Sequence, residues 1–382
     1  MLFTTPDLGD LELAVLDDIN ALFEKLKIRL HEPRRWAGSL RRSQFARAVQ
    51  GSNSIEGFDA ALDDAAAIEL GEPPLDVDAE TRLAIKGYCD AMTYVLQLAS
   101  EPNFHYGEQL VRSLHFIMTS YDLKNRPGLW RAGSIIVRND DTGETVYVGA
   151  DLDDVPSLMH QLVDELNAEN DSPLIVRAGM AHLNLVMVHP FRDGNGRMAR
   201  CLQTLVMARN GILSPVFCSI EEYLGRNTLS YYDVLARVGQ GSWNPDRDAM
   251  PWVRFILTAH LRQAKTLQVR IRESEHLWDD LEKIVSRNAL PERVLPIMYD
   301  AAMRYRVRNG TYRAILEESG EGITEQVASR DLKRLTDLGF ILAQGAARGR
   351  FYTASPALLG LRQAIIDGRD PRDDSDPFAA LP

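Results

Sequence analysis

The chain has 382 residues, enough for two or three domains, and its 45% apolar and 25% charged residues are the balance of an ordinary soluble globular protein. Its formal net charge of −11 argues against a strong non-specific nucleic-acid footprint. Residues 1–7 lack a basic stretch followed by an apolar one, no apolar run reaches the ~18 residues of a membrane span, and Cys89, Cys201 and Cys218 lie far apart, so a cytoplasmic protein with reduced core thiols is expected.

Taken in order, residues 8–30 set Leu11, Leu13, Leu16, Ile19, Leu22 and Leu26 at helical spacing among acids. A second helical pattern covers about 39–50 and ends in Gln50-Gly51-Ser52-Asn53-Ser54-Ile55-Glu56-Gly57. By itself this ending reads as a helix C-terminus with a turn, or as a fresh N-cap. Residues 58–79 are rich in Asp and Ala, and Gly71-Glu72-Pro73-Pro74 breaks them, which predicts a loop. Helices are predicted over 80–99 and 107–119. After the turn Pro127-Gly128-Leu129-Trp130-Arg131, two β-branched runs, 134–138 and 144–148, flank an Asp/Gly turn at 139–143 and predict a hairpin. A helix over 152–168 comes next. Ser172-Pro173 is expected to open another, with proline at its first helical position, on an apolar run ending at Val188. His182 on that run is expected to be a buried, satisfied histidine.

The run His189-Pro190-Phe191-Arg192-Asp193-Gly194-Asn195-Gly196-Arg197-Met198-Ala199-Arg200 then packs an imidazole, a carboxylate, a Gly-Asn-Gly turn and paired arginines into one loop between two helices. Gly194 and Gly196 can turn successive N–H groups inward as an anion nest, which opens into a helix N-terminus that favours negative charge. Arg197 and Arg200, three apart, share a helix face and can reach one polyphosphate. Asp193 is a hard oxygen ligand suited to Mg2+, and His189 has the pKa range of a general base.

This run resembles the signature of the Fic family, His-Pro-Phe-x-Asp/Glu-Gly-Asn-Gly-Arg-x-x-Arg, without departure, and the resemblance extends over roughly 40–285. It implies a mainly α-helical fold and transfer of AMP from ATP, with Mg2+, to a Ser, Thr or Tyr hydroxyl of a target protein. His189 would be the base, Asp193 the metal ligand, Asn195 and the loop N–H groups the phosphate holders, and Arg197 and Arg200 the grip on the β/γ end. Phe191 would fix the loop from the core. Relatives that act as kinases carry Lys where this chain has Gly196, so nucleotidyl transfer is favoured. Ser52-x-x-x-Glu56-Gly57 fits the family's inhibitory motif, with Glu56 pairing bidentately with Arg200. The hairpin would be the flap over the active site, and an exposed edge near residues 146–150 could hold a target loop by strand addition.

Asn210-Gly211 is expected to stop the helix after the signature, and one helix is expected from Glu222 to Tyr232. Tyr231 and Tyr232 match paired aromatics near the adenine in several Fic proteins, or simply pack in the core. A long helix covers 252–281. Beyond it, helices at 291–303, 309–318 and 324–338 and a Gly/Arg-tipped hairpin look like a winged helix-turn-helix, with Ser329, Arg330, Lys333 and Arg334 outward and Arg348 and Arg350 on the wing. This unit could bind DNA, or be structural or protein-binding. The expected organisation is an N-terminal helical region with the inhibitory segment (1–105), a Fic-like core (106–285), a winged helix (289–356) and a disordered tail (367–382). A self-inhibited protein adenylyltransferase is expected. A DNA-binding nucleotide sensor, removal of AMP by the same site, another nucleotide donor and a homodimer stay open.

Overall fold

Helical apolar spacing fills most of the chain, and the computed structural model shows sixteen α-helices and two two-stranded hairpins among the residues it describes, 1–31, 34–138, 143–169, 171–210, 213–346 and 349–379. The first pattern folds as α1 (Asp10–His31), which buries Leu16, Ile19, Phe23 and Leu26 at helical spacing. α2 (Ala37–Ser54) runs past its expected end near residue 50, so Ser52 lies in its last turn and Glu56 just beyond it. The Asp/Ala-rich stretch contains a short helix, α3 (Leu62–Glu69), before the chain turns at Gly71 with φ 73. α4 (Ala79–Leu98), capped by the Asp78 carboxylate, and α5 (Glu108–Thr119) follow as predicted.

β1 (Ile136–Arg138) and β2 (Thr145–Val148) pair antiparallel. Their turn, 139–142, lies outside the described residues. After α6 (Val155–Asn167) comes α7 (Leu174–Val188), which is buried on nearly every side and is enclosed by α6, α8 (Asn195–Asn210) and the later helix α12. Pro173 does not occupy the first position of α7: it sits at the N-cap, where its carbonyl accepts from the Arg177 N–H. The expected stop at Gly211 also lies outside the described residues.

α9 (Pro215–Cys218) was not expected. The single helix expected from Glu222 to Tyr232 is instead two, α10 (Glu221–Arg226) and α11 (Thr228–Gly239), broken at Asn227. The Asn227 carboxamide donates to the Tyr223 carbonyl at 2.7 Å, a local bond that competes with continuing the helix. α10 lies directly on the last turn of α2: a Cβ on Gly51 would be 2.6 Å from the Glu221 carbonyl oxygen, and one on Gly225 would be 2.6 Å from the Gly51 Cα. α12 (Met250–Arg287) then runs for 38 residues, and its Arg270 clamps Glu222 of α10 through contacts of 2.6 and 2.7 Å.

α13 (Leu295–Ala302), α14 (Asn309–Glu318), α15 (Glu325–Asp337), β3 (Ile341–Gln344), β4 (Phe351–Ala354) and α16 (Pro356–Asp367) complete the chain. Val307 and Tyr352 exchange backbone bonds beside the β3–β4 hairpin. α16 was not foreseen, although Ser355 at its cap and Pro356 at its first position signal a helix start. Residues 369–378, expected to be disordered, lie along α12, where Arg369 pairs with Glu273, Lys265 with Asp373 and Arg262 with Asp374. Residues 380–382 are outside the described set. No helix among the described residues is long and apolar enough to cross a membrane, and all three cysteines are buried and free.

This last unit grips α2 and α3. Arg42 of α2 meets Asp300 at 2.9 Å, the Tyr305 hydroxyl donates to Ser43, and Arg306 meets Asp64 at 2.6 Å with both side chains buried. Replacing Arg306 by alanine would leave the Asp64 carboxylate buried without its cation, at a cost of about 3–5 kcal/mol. A fall of that size in urea-unfolding stability is the expected outcome, and an unchanged midpoint would show that water reaches Asp64.

Candidate active site

The site is built where α7 stops. The apolar helix ends at His189, which adopts the left-handed conformation at φ 55 and ψ 57, costly for a non-glycine residue. That turn aims the chain into the loop 190–194. His189 Nδ1 lies 3.1 Å from the Val186 carbonyl, and a carbonyl can only accept, so Nδ1 carries the proton and Nε2 keeps its lone pair. Burial lowers the His189 pKa, against the raising influence of the Val186 carbonyl and of Glu56. The imidazole is therefore neutral at pH 7 and competent as a base.

Phe191 is fully buried and stacks face to face on His115, with ring centroids 3.7 Å apart. The Gly128 N–H donates to His115 Nδ1 at 2.9 Å, which leaves Nε2–H to donate to the Asp193 carbonyl at 2.9 Å. Burial pushes the His115 pKa down to about 4, consistent with this neutral tautomer. Nothing in the spacing of the sequence marked His115 as a support of the loop.

Asn195 has a different use from the one expected. Its carboxamide accepts from the Phe191 N–H and donates to the Phe191 carbonyl, both at 2.9 Å, so its side chain braces the loop and leaves only its backbone N–H for phosphate. Gly194, at φ 74, spends its N–H on Asp193 Oδ1 at 2.7 Å. The main-chain groups that could receive an anion thus reduce to the N–H groups in the first turn of α8, at Asn195, Gly196 and Arg197, which lack intrahelical acceptors.

Arg197 and Arg200 line that turn, both 1% exposed. Arg197 lies over the Phe58 ring at 4.8 Å and donates to the Tyr121 hydroxyl at 3.2 Å; neither aromatic was foreseen, since both lie far away in the chain. Its Nε and Nη1, with Nη1 of Arg200, find no hydrogen-bond partner among the described residues, which is the provision expected for polyphosphate oxygens. Glu56 reaches Arg200 Nη2 at 2.6 Å through one oxygen, so the expected bidentate pair is a single contact. Ser52 supplies the two-point grip instead: Arg200 Nε donates to its hydroxyl at 2.7 Å and Nη2 to its carbonyl at 2.9 Å. Burial works to raise the Glu56 pKa, but the Arg200 and Arg197 guanidiniums outweigh it and hold the carboxyl ionised. A Cβ on Gly196 would sit 2.3 Å from Glu56 Oε1, so the carboxylate lies against the first turn of α8. Gly57, at φ 80, turns the chain away behind it.

Asp193 is exposed at the mouth, with Oδ2 accepting from Asn125 at 3.3 Å. Among the described residues no cluster of three metal-ligating side chains exists. A lone carboxylate beside an anion site fits an Mg2+ that keeps its waters and shares phosphate oxygens, not an ion caged by protein.

Tyr231 is 1% exposed and its hydroxyl lies 2.9 Å from His182 Nε2, while His182 Nδ1 meets Gln203 at 2.7 Å. Tyr231 is thus a core residue, and His182 is the satisfied histidine expected. Tyr232 is half-exposed and donates to the Ile55 carbonyl at 2.9 Å, next to Glu56. The hairpin stands over His189, but its edge is less open than expected. Val148 donates to the Gly241 carbonyl at 3.0 Å and accepts from the Trp243 N–H at 2.9 Å, so strand addition is left the stretch around Val146.

A model of the Fic/DOC family matches residues 106–207. Over 117 residues the chain is 40% identical to a protein adenylyltransferase fic-1 of Caenorhabditis elegans and 36% identical to a protein adenylyltransferase Fic of Drosophila willistoni. In each case 29% of this chain and 21% of the relative are covered, so the chain spans about a fifth of the length of these relatives. Among solved structures, a Fic family protein from Desulfovibrio desulfuricans superposes with a TM-score of 0.57 at 19% identity, covering 96% of this chain and 99% of that one. A fragment of Fic-1 from C. elegans superposes with a TM-score of 0.56 at 23% identity, covering 69% of this chain and 73% of that one. Below 25% identity these superpositions speak for the fold alone. The match to the Fic/DOC family thus spans residues 106–207, which carry the signature loop, and the superpositions agree with it in fold.

Proposed function

We propose that the chain is a self-inhibited protein adenylyltransferase. The observation that carries the reading is the Glu56 carboxylate seated against the first turn of α8 on Arg200, beside a neutral His189. It occupies the anion site that a nucleotide's phosphates need. With Glu56 displaced, Arg197, Arg200 and the N–H groups of the turn hold the triphosphate of ATP. His189 Nε2 removes the proton from a Ser, Thr or Tyr hydroxyl of the target protein. That oxygen bonds to the α-phosphorus as the bond to pyrophosphate breaks. Asp193 would hold Mg2+, whose contribution there is to neutralise the leaving pyrophosphate. The relatives' printed name, protein adenylyltransferase, supports the same reading. Wild type and Glu56→Gly, incubated with labelled ATP, Mg2+ and cell lysate, test it: labelled proteins are expected with the variant, and their absence from both would overturn it.

The Asp193→Ala variant is expected to lose most of its activity together with its response to Mg2+. Wild-type activity of this variant in excess chelator would remove Asp193 from the metal's side of the reaction.

The C-terminal unit we read as a winged helix in a structural or protein-binding role. Ser329, Arg330, Lys333, Arg334 and Arg350 are outward, whereas Arg348 lies outside the described residues. Lys333 pairs with Asp337, Arg334 donates to the Asn288 carbonyl, and Ser329 accepts from Asn309, so much of this face is engaged within the chain. That favours protein contact over DNA binding, in keeping with the acidic net charge.

A further inference from the structure

Arg131 stands outside the signature, just before the hairpin, and is 6% exposed. Its Nε donates to the His189 carbonyl at 2.9 Å and its backbone N–H to the Pro190 carbonyl at 2.8 Å. Its Nη1 donates to the Gly133 carbonyl at 2.8 Å and its Nη2 to the Ala150 carbonyl. Gly133 and Ala150 are the two feet of the hairpin, one before β1 and one after β2. Buried arginines ordinarily pair with acids. This one is committed to main-chain carbonyls on three separate segments.

The placement bears on the reacting groups. His189 holds a left-handed conformation that persists only where its surroundings over-determine it. Arg131 fixes the two carbonyls that follow that strained Cα, while Val186 holds the ring. The hairpin itself abuts the base: a Cβ on Gly149 would be 3.2 Å from His189 Cβ and 2.7 Å from Ile135 Cγ2. The height of the hairpin above Nε2 is therefore set by what joins the two: the Tyr147 hydroxyl, which donates to the Met187 carbonyl at 2.9 Å, and the Arg131 guanidinium, which of these two is the one that reaches the His189 carbonyl and both feet of the hairpin. Lysine, with a single nitrogen, cannot span three carbonyls that diverge in this way.

We propose that Arg131 is a positioning residue for the transfer reaction, tying the His189 carbonyl to both feet of the hairpin so that a hydroxyl held on the hairpin is delivered to Nε2. The proposal rests on the adenylyltransferase reading. Water needs no hairpin to reach the α-phosphorus, where its attack gives AMP and pyrophosphate. A protein hydroxyl does need it. Loss of the joint therefore changes the partition between the two acceptors, which a lower fraction of folded enzyme or weaker ATP binding leaves alone.

The test places Arg131→Lys in the Glu56→Gly chain and counts AMP attached to the enzyme itself against AMP released, with ATP affinity measured in parallel. A misplacement of ~1 Å can cost about a hundredfold, so the ratio of attached to released AMP is expected to fall at least about tenfold, with ATP affinity within about twofold of the parent. Gly149→Ala, which keeps the guanidinium and pushes the hairpin off His189, is expected to lower the ratio in the same direction and serves if Arg131→Lys does not fold. An active parent whose ratio is unchanged in the folded variant overturns the role of Arg131 alone. A Glu56→Gly parent that neither labels itself nor releases AMP overturns the adenylyltransferase reading and this proposal with it.

Discussion

Glu56→Gly is expected to raise the rate of AMP transfer at least about tenfold. The carboxylate makes one charge-assisted contact of 2.6 Å to a fully buried guanidinium and lies against the first turn of α8. A contact of that kind is worth ~1.5–3 kcal/mol, and each ~1.4 kcal/mol is a factor of ten in rate. Removing it releases one of the two contacts of Arg200 Nη2 and clears the anion site, so activity should rise although an ion pair is lost locally. The rise is bounded, because Ser52 continues to hold Arg200 through its hydroxyl and its carbonyl. Ser52→Ala releases Nε only and should activate less. Arg200→Ala should not be activated, since it loses the phosphate contact along with the inhibitor's partner. Labelling by the folded, ATP-binding Glu56→Gly protein at the wild-type rate would falsify autoinhibition by Glu56.

His189→Ala should abolish transfer in the Glu56→Gly background while ATP binds nearly as before. General-base catalysis contributes roughly 10²–10⁴-fold, and here it acts on the incoming hydroxyl, not on the phosphates held by the arginines and the turn of α8. Position 189 has φ 55, so alanine adds backbone strain. His189→Asn, whose side chain tolerates this conformation, separates strain from chemistry and should be equally inactive. Because burial lowers the His189 pKa, the active enzyme should lose rate on acidification only below the ordinary histidine range. Transfer surviving in both variants, or ATP affinity falling as far as the rate, would take the base role away from His189.

Much of this was legible in the chain because it is local. The signature loop carries its imidazole, carboxylate, nest and arginines within twelve consecutive residues, and a helix–loop–helix brings such neighbours together whatever surrounds them. Helix existence followed from apolar periodicity for the same reason, as in α1, α4, α5 and α7. Ser52 and Glu56, four apart on a helix end, were readable as a pair once the signature was in hand.

What the sequence left open was the choice of partner, and only the tertiary structure made it. Whether Glu56 grips Arg200 with one oxygen or two depends on where α10 presses α2 through Gly51 and Gly225, a packing distance that no motif encodes. With the helix held there, Ser52 takes Nε with its hydroxyl and shares Nη2 with its carbonyl, and Glu56 meets Nη2 alone, leaving Nη1 without a partner among the described residues. Asn195 could have faced a phosphate or the loop; the close return of the chain at Phe191 directed it to the loop. Of two adjacent tyrosines, the helical turn buries Tyr231 against His182 and sends Tyr232 out towards Ile55. His115, Arg131, Phe58 and Tyr121 reach the site from segments far off in the chain. Local composition sets which groups are available and in what conformation, but a long side chain has several partners of similar energy within reach, and close packing of distant helices decides among them.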